Sequence, residues 1–310
     1  MHVELVRTVT RDGLRLDGAF HLPLPLGEGR GSSSSLDPHP HPLPKGEGTA
    51  AVLLHGVAGN FYSSSTFEPL VPRLRKLGLA VLSVNTRGHD SVFGATLGTV
   101  RQRLGAAYET VDDCLLDIAA WIDLLAARGH TWVVLIGHSL GAIKAVYGMA
   151  HDKWPAVSAV VAVSPPRLSC AAFQNSPDSS SPFFESLSTA ERMVAEGRGE
   201  ELFTSKFPFP LLITAAGYID KYGPAERYNL LRFAHELPCP ALFTYGSKEL
   251  AGGGIAFDGL PEALQSLPNS SRRQVAVIEG ADHIYTGLGE ELAAAITDWL
   301  APSIMAATST

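Results

Sequence analysis

The stretch that most constrains this chain runs from Thr131 to Ala150. Trp132-Val133-Val134-Leu135-Ile136 is a short apolar run rich in β-branched residues, the pattern of a strand buried on both faces. It stops at Gly137-His138-Ser139-Leu140-Gly141, a G-x-S-x-G, and an Ala-rich segment with helical spacing follows at once. A strand that becomes a helix within so few residues needs a sharp, strained turn, and flanking glycines relieve the crowding there. Ser139, at the apex, would carry its hydroxyl out at the end of a sheet. A glycine-rich turn with an incidental serine is the competing reading. The choice depends on whether the rest of the chain supplies a base, a carboxylate and an oxyanion hole in the right order.

The order of elements around this stretch is regular. Apolar runs predict strands over 50–54, 79–84, 157–163, 241–245 and 274–278. Helical spacing predicts helices over 68–76, 106–127, 260–267 and 290–300, with 301–310 as a frayed tail. Strand and helix alternate from residue 50 onward, which argues for a parallel sheet with helices on both faces. Ahead of it, 3–9 and 14–22 alternate apolar and polar residues around Arg11-Asp12-Gly13, a β-hairpin pattern.

Two segments interrupt the rhythm. In 23–48, Pro-Leu-Pro-Leu-Gly-Glu-Gly recurs as Pro-Leu-Pro-Lys-Gly-Glu-Gly, with four consecutive serines and Pro38-His39-Pro40-His41-Pro42 between the copies. Such composition buries too little apolar surface to offset its ordering entropy, so it is expected to be a flexible insertion. A polyproline ligand and a metal site are the rival readings, although two histidines alone make a poor site. The second segment, 165–237, has no clear strand pattern, helical stretches near 187–196 and 225–236, and many aromatics, among them Phe173, Phe183, Phe207, Tyr218 and Tyr228. It is expected to be a cap over the strand ends. The division that results is a core of 1–164 with 238–310, and a cap of 165–237.

Composition excludes several classes. With 310 residues, 45% of them hydrophobic and 18% charged, the chain can bury a large core. A net charge of −7 argues against nucleic acid or an anionic membrane as the main partner. Three distant cysteines, Cys114, Cys170 and Cys239, suit neither a disulfide framework nor a thiolate metal site. The first residues lack the apolar core of a signal peptide, and no apolar run is long enough to span a membrane, so a cytoplasmic protein is expected.

A serine hydroxyl is a weak nucleophile and needs a base, which in turn needs an orienting carboxylate. Predicted strand ends carry Ser139, then Glu249, then His283, and sites form where parallel strands end. On these residues and the G-x-S-x-G, the chain resembles the α/β-hydrolase superfamily, in its esterase and lysophospholipase-like branch, from about residue 50 to 300. The resemblance implies an α/β fold with a mostly parallel eight-stranded sheet, helices on both faces and a helical cap. It implies Ser139 as nucleophile, His283 as base and then acid, and Glu249 as the orienting carboxylate. Asp258 lies near enough in sequence to substitute for Glu249, while the Asp282 side chain should diverge from the imidazole.

The same resemblance makes the backbone N–H groups of Leu140 and Val57 the oxyanion donors, the latter from the His55-Gly56 turn, with Ala58 a shift by one. His55 and His138 are expected to be structural hydrogen-bonders around the site. Asn85-Thr86-Arg87-Gly88-His89-Asp90 resembles the family's D-x-R-G-x-G turn with both ends changed, and is assigned a structural role. The implied activity is hydrolysis of a small-molecule carboxylic ester through an acyl-enzyme, without metal or organic cofactor. Thioester, amide and carbon–carbon substrates use the same groups, and a non-catalytic binding protein on this fold stays open, as does the oligomeric state.

Replacing 23–48 by a short turn is expected to leave fold and esterase activity nearly intact. Loop-closure entropy grows slowly with length, so thermal denaturation should register a change of roughly 1 kcal/mol or less.

Overall fold

The computed structural model describes residues 3–24, 48–63, 65–177 and 180–308. The chain opens with the hairpin β1 (Glu4–Val9) and β2 (Arg15–His21), then β3 (Thr49–Leu54), α1 (Leu70–Lys76) and β4 (Ala80–Val84). A small hairpin, β5 (Phe93–Leu97) and β6 (Val100–Leu104), precedes α2 (Cys114–Ala127), β7 (Trp132–His138), α3 (Leu140–His151) and β8 (Val157–Val163). An inserted segment carries α4 (Cys170–Asn175), α5 (Ser180–Ala195), β9 (Leu202–Ser205), β10 (Leu211–Thr214) and α6 (Ala215–Tyr222). The sheet then resumes with β11 (Ala241–Gly246), α7 (Ser247–Gly252), α8 (Leu260–Ser266), β12 (Arg273–Ile278) and α9 (Gly289–Thr308).

The eight-stranded sheet runs β1-β2-β4-β3-β7-β8-β11-β12. β1 and β2 pair antiparallel, β2 meets β4 antiparallel, and all later neighbours are parallel. The central strands read as unbroken apolar runs because helices cover both faces. On one face, Val52, Val133, Leu135 and Val160 pack with α2, α3, α8 and the inserted segment. On the other, Leu53, Val134, Ile136 and Val161 pack with Leu70 and Leu74 of α1 and with Leu292, Ile296, Leu300 and Ile304 of α9.

Register decides where the strands end. Leu54 lies level with Gly137, Gly137 with Ala162, and Thr244 of β11 with Val163. The loops carrying His55, Ser139, Ser164 and Glu249 therefore leave the sheet along one edge. β11 also lies beside β12, Gly246 level with Ile278, so the loop bearing His283 leaves there too.

Several elements differ from the sequence reading. The helix expected from 106 begins at Cys114, because the Ala106 and Ala107 N–H groups donate to Asp90 and Ser91, and Thr110 is extended (φ −89°, ψ 123°). The inserted segment does contain strands, the antiparallel pair β9 and β10. The helix expected over 225–236 is replaced by two short 3₁₀ turns, since Glu226 takes a positive φ of 47° and Asn229 caps Leu231. The tail expected to fray from 301 continues α9 to Thr308, with Ile304 buried and Pro302 on the exposed side. The repeat-containing insertion lies outside the described residues except at its ends. There the Leu24 N–H donates to Arg75, and the Gly48 carbonyl accepts from Thr131 and Trp132.

The turn from β7 to α3 is packed against the end of β3. A β-carbon on Gly141 would stand 2.4 Å from the Leu54 carbonyl oxygen and 2.5 Å from that of His55. Neither backbone atom can move without shifting the strand. Gly141→Ala should therefore cost about 3 kcal/mol or more, at or above the top of the usual overpacking range, read as a lowered denaturation midpoint.

Candidate active site

Ser139 sits between β7 and α3 with φ 55° and ψ −119°, a conformation L-residues rarely adopt. Its N–H donates to the Val163 carbonyl at 2.8 Å, one of the contacts that hold the turn in place. The Ser139 hydroxyl donates to His283 Nε2 at 3.0 Å, and His283 Nδ1–H donates to Glu249 Oε1 at 2.5 Å. Serine, imidazole and carboxylate thus form one continuous hydrogen-bonded chain. A base placed there can take the serine proton, and the carboxylate fixes its tautomer and supports its charge.

Glu249 lies in the first turn of α7, directly after β11, and its side chain is 1% exposed. Its second oxygen, Oε2, accepts from Ser164 Oγ at 2.7 Å and from the Gly246 N–H at 3.2 Å. Having spent its proton on Glu249, the Ser164 hydroxyl accepts from Tyr285 Oη at 3.0 Å, and Tyr285 accepts from Thr244 at 3.1 Å. Burial pushes the Tyr285 phenol up, so it stays a neutral donor. Ser164, Tyr285 and Thr244 were not found by sequence reasoning. A lone serine one residue past β8 carries no local signal; only the register brings it to Glu249 from 85 positions away.

His138, inside the G-x-S-x-G, is buried, and its Nε2–H donates to the His283 backbone carbonyl at 2.8 Å. Burial, with help from His283, lowers its pKa to about 4. It therefore holds the His283 backbone as a neutral donor. Asp282 Oδ1 accepts from the N–H groups of Ile284 (3.2 Å) and Thr286 (2.9 Å), turned toward its own loop. Asp258 is exposed. Its carbonyl accepts from Arg167 at 2.8 Å, and among the described residues its carboxylate has no hydrogen bond or ion pair.

The loop after β3 lies against Ser139. A β-carbon on Gly56 would be 3.3 Å from that of Ser139. The Gly56 carbonyl accepts from the Gly59 N–H at 3.1 Å and from His55 Nδ1 at 2.8 Å. Two donors thereby fix the Gly56–Val57 peptide plane, whose N–H points away from the held carbonyl. Leu140 is the first residue of α3, where N–H groups lack an intrahelical acceptor. The Asn85–Asp90 turn braces this loop. Asn85 Oδ1 accepts from the Phe61 N–H at 3.0 Å, Asp90 accepts from Asn60 and Tyr62, and Arg87 pairs with the buried Asp117 at 2.9 Å.

A family model described as the alpha/beta hydrolase family matches residues 51–304. No match is found among curated proteins. Solved structures match over nearly the whole chain. Est1E from Butyrivibrio proteoclasticus with bound ferulic acid is 16% identical, covers 97% of this chain and 100% of its own, and has a TM-score of 0.61. The alpha/beta hydrolase GrgF from Penicillium sp. sh18 is 12% identical over 100% of both chains, with a TM-score of 0.66. A monoacylglycerol lipase from Paleococcus ferrophilus is 17% identical over 97% and 99%, with a TM-score of 0.59. At these identities the likeness is one of fold. Among the described residues, no helix is long and apolar enough to cross a membrane.

The buried histidines predict how stability follows pH. Burial lowers His55 and His138 from 6.5 to about 4 in the folded chain. As pH falls from 6.5 toward 4, the unfolded chain takes up protons that the folded one refuses, so stability is lost across that window. Each histidine should contribute a slope of roughly 1.4 kcal/mol per pH unit. Denaturation at a series of pH values should show a shallower slope in His138→Gln than in the parent.

Proposed function

The chain belongs to the alpha/beta hydrolase family, and from that premise we propose that it is a serine hydrolase of carboxylic esters working through an acyl-enzyme. The observation that carries the reading is the chain from Glu249 through His283 to Ser139. His283 takes the Ser139 proton as Oγ attacks the ester carbonyl, and the N–H groups of Leu140 and Val57 stabilise the oxyanion. Collapse of the tetrahedral intermediate expels the alcohol, protonated by His283. Water, deprotonated by the same imidazole, then releases the acid and restores the serine. Glu249 stabilises the imidazolium in both halves without being protonated itself. The ester class agrees with the monoacylglycerol lipase among the proteins of similar fold.

In this reading, the inserted segment 165–237 is a cap. It leaves the sheet at the end of β8, beside Ser164, on the edge that carries the reacting groups. Its aromatics serve chiefly to hold the segment together. Phe173, Phe183 and Phe207 are buried against one another with ring centroids 4.7–5.4 Å apart. Tyr218, Tyr222 and Tyr228 are buried as well.

Ser139→Ala should abolish labelling by a fluorophosphonate probe and lower turnover of p-nitrophenyl esters by on the order of 10⁴–10⁶-fold. Glu249→Gln should cost far more activity than Asp258→Asn. Labelling at another serine, or the reverse ranking of the two carboxylates, would overturn these assignments.

A further inference from the structure

Beneath the loop that bears Val57 lies a buried ionic cluster that the ester chemistry leaves unused. Glu109, in the approach to α2, Lys144, on α3, and Lys221, on α6 of the inserted segment, meet there with side chains each 1% exposed. Glu109 Oε1 accepts a hydrogen bond from Lys144. Its other oxygen, Oε2, stands 4.0 Å from the Lys221 ammonium, and among the described residues neither atom has a hydrogen bond. Burial pushes Lys221 down, while the two ammonium groups outweigh burial at Glu109 and hold its carboxyl below the ordinary value. Two cations and one carboxylate taken out of water are a costly arrangement, and well-packed apolar residues would do as well for stability.

What the cluster touches gives it a use. Lys144 Nζ also donates to Thr86 Oγ1 at 3.0 Å. An ammonium can only donate, so the Thr86 oxygen must accept there, leaving its own proton for His55 Nε2 at 3.2 Å. The Thr86 N–H donates to the same nitrogen at 3.1 Å. His55 Nε2 is thus an acceptor twice over, and the ring proton must sit on Nδ1, which donates to the Gly56 carbonyl at 2.8 Å. The ammonium fixes the Thr86 hydroxyl as a donor to His55, adding to the Thr86 N–H, so that Lys144 and the Gly56–Val57 peptide are joined by a continuous run of hydrogen bonds.

We propose that Lys221, Glu109 and Lys144 are positioning residues for the oxyanion hole: Lys221, from the inserted segment, orients the Glu109 carboxylate, Glu109 fixes Lys144, and Lys144 holds Thr86 against His55, whose bond to the Gly56 carbonyl aims the Val57 N–H. Seating of the inserted segment and readiness of the oxyanion hole are then one event. The segment is bound to the Glu109 loop nearby, the Thr214 N–H donating to the Ala107 carbonyl at 2.9 Å. The inference rests on the serine-hydrolase reading above, in which Val57 is an oxyanion donor.

Glu109→Gln strands two buried ammonium groups and threatens folding, so Lys221→Met is the deciding variant. It keeps the stem and removes a charge that has no hydrogen bond, which on stability grounds is neutral or favourable. The full-length protein is assayed with a p-nitrophenyl ester and a trifluoromethyl ketone, whose adduct with serine carries an oxyanion. Expected is a fall in kcat of about tenfold, less than deletion of an oxyanion donor would cause. The ketone should weaken by the same factor, with KM within about twofold and the denaturation midpoint unchanged or raised. A folded Lys221→Met with parental kcat and ketone affinity would overturn the proposal, and so would a variant whose losses follow lowered stability. Fluorophosphonate labelling of the parent separates the two layers. A parent labelled at Ser139 with an unaffected variant sinks only the positioning role, whereas a parent unlabelled there sinks both.

Discussion

The close approach between the β7–α3 turn and the end of β3 governs the architecture of this site. A β-carbon on Gly137 would stand 2.1 Å from the Gly141 carbonyl oxygen, and one on Gly141 would stand 2.4 Å from that of Leu54. With both positions stripped to hydrogen, the helix can start within a residue of the strand, and Ser139 is left in a conformation that only its surroundings enforce. The same contact brings the loop after β3 against the serine. Ser139 and the loop bearing Val57 are therefore placed by one packing event, and the parallel register of β3, β7, β8 and β11 aligns everything else to it.

Around that contact the groups of the proposed reaction are held by buried, uncharged donors acting on backbone or carboxylate oxygens. His138 holds the His283 carbonyl, His55 the Gly56 carbonyl, and Ser164 with the Gly246 N–H holds Glu249. Two of the holders are themselves held, Ser164 by Tyr285, which Thr244 holds in turn, and His55 by Thr86. A transition state is stabilised by dipoles that need not reorganise as charge develops, and such layered support restricts reorganisation.

Most of the sheet was legible in the sequence because its central strands are buried on both faces and read as unbroken apolar runs. The G-x-S-x-G was legible because backbone crowding demands glycine at fixed offsets. Glu249 and His283 could be located from strand ends and a family resemblance, since strand order and register decide which loops meet. What escaped is what depends on neighbours far away in the chain. The stretch 106–113 has helical composition, yet its first two N–H groups, those of Ala106 and Ala107, are taken by the Asp90 and Ser91 carbonyls. In 225–236, the Glu226 carboxylate is held by the Ser169 hydroxyl and the Ala171 N–H from far upstream, and its positive φ breaks the helical pattern. The support given by Ser164 and Tyr285, and the meeting of Lys221 with Glu109, exist only in three dimensions.

The neutrality of His138 matters because of what the proposed reaction requires next to it. Its ring centroid lies 4.9 Å from that of His283, which in the proposed reaction must carry a positive charge each time it holds the serine proton. A second cation at that distance would oppose every proton transfer, whereas a neutral ring that donates to the His283 carbonyl fixes the backbone and opposes nothing. Burial supplies the neutrality by driving His138 down to about 4. A permanently charged donor there would place a fixed cation beside the developing one. A buried histidine is thus suited to this position by being a donor that does not have to be a cation.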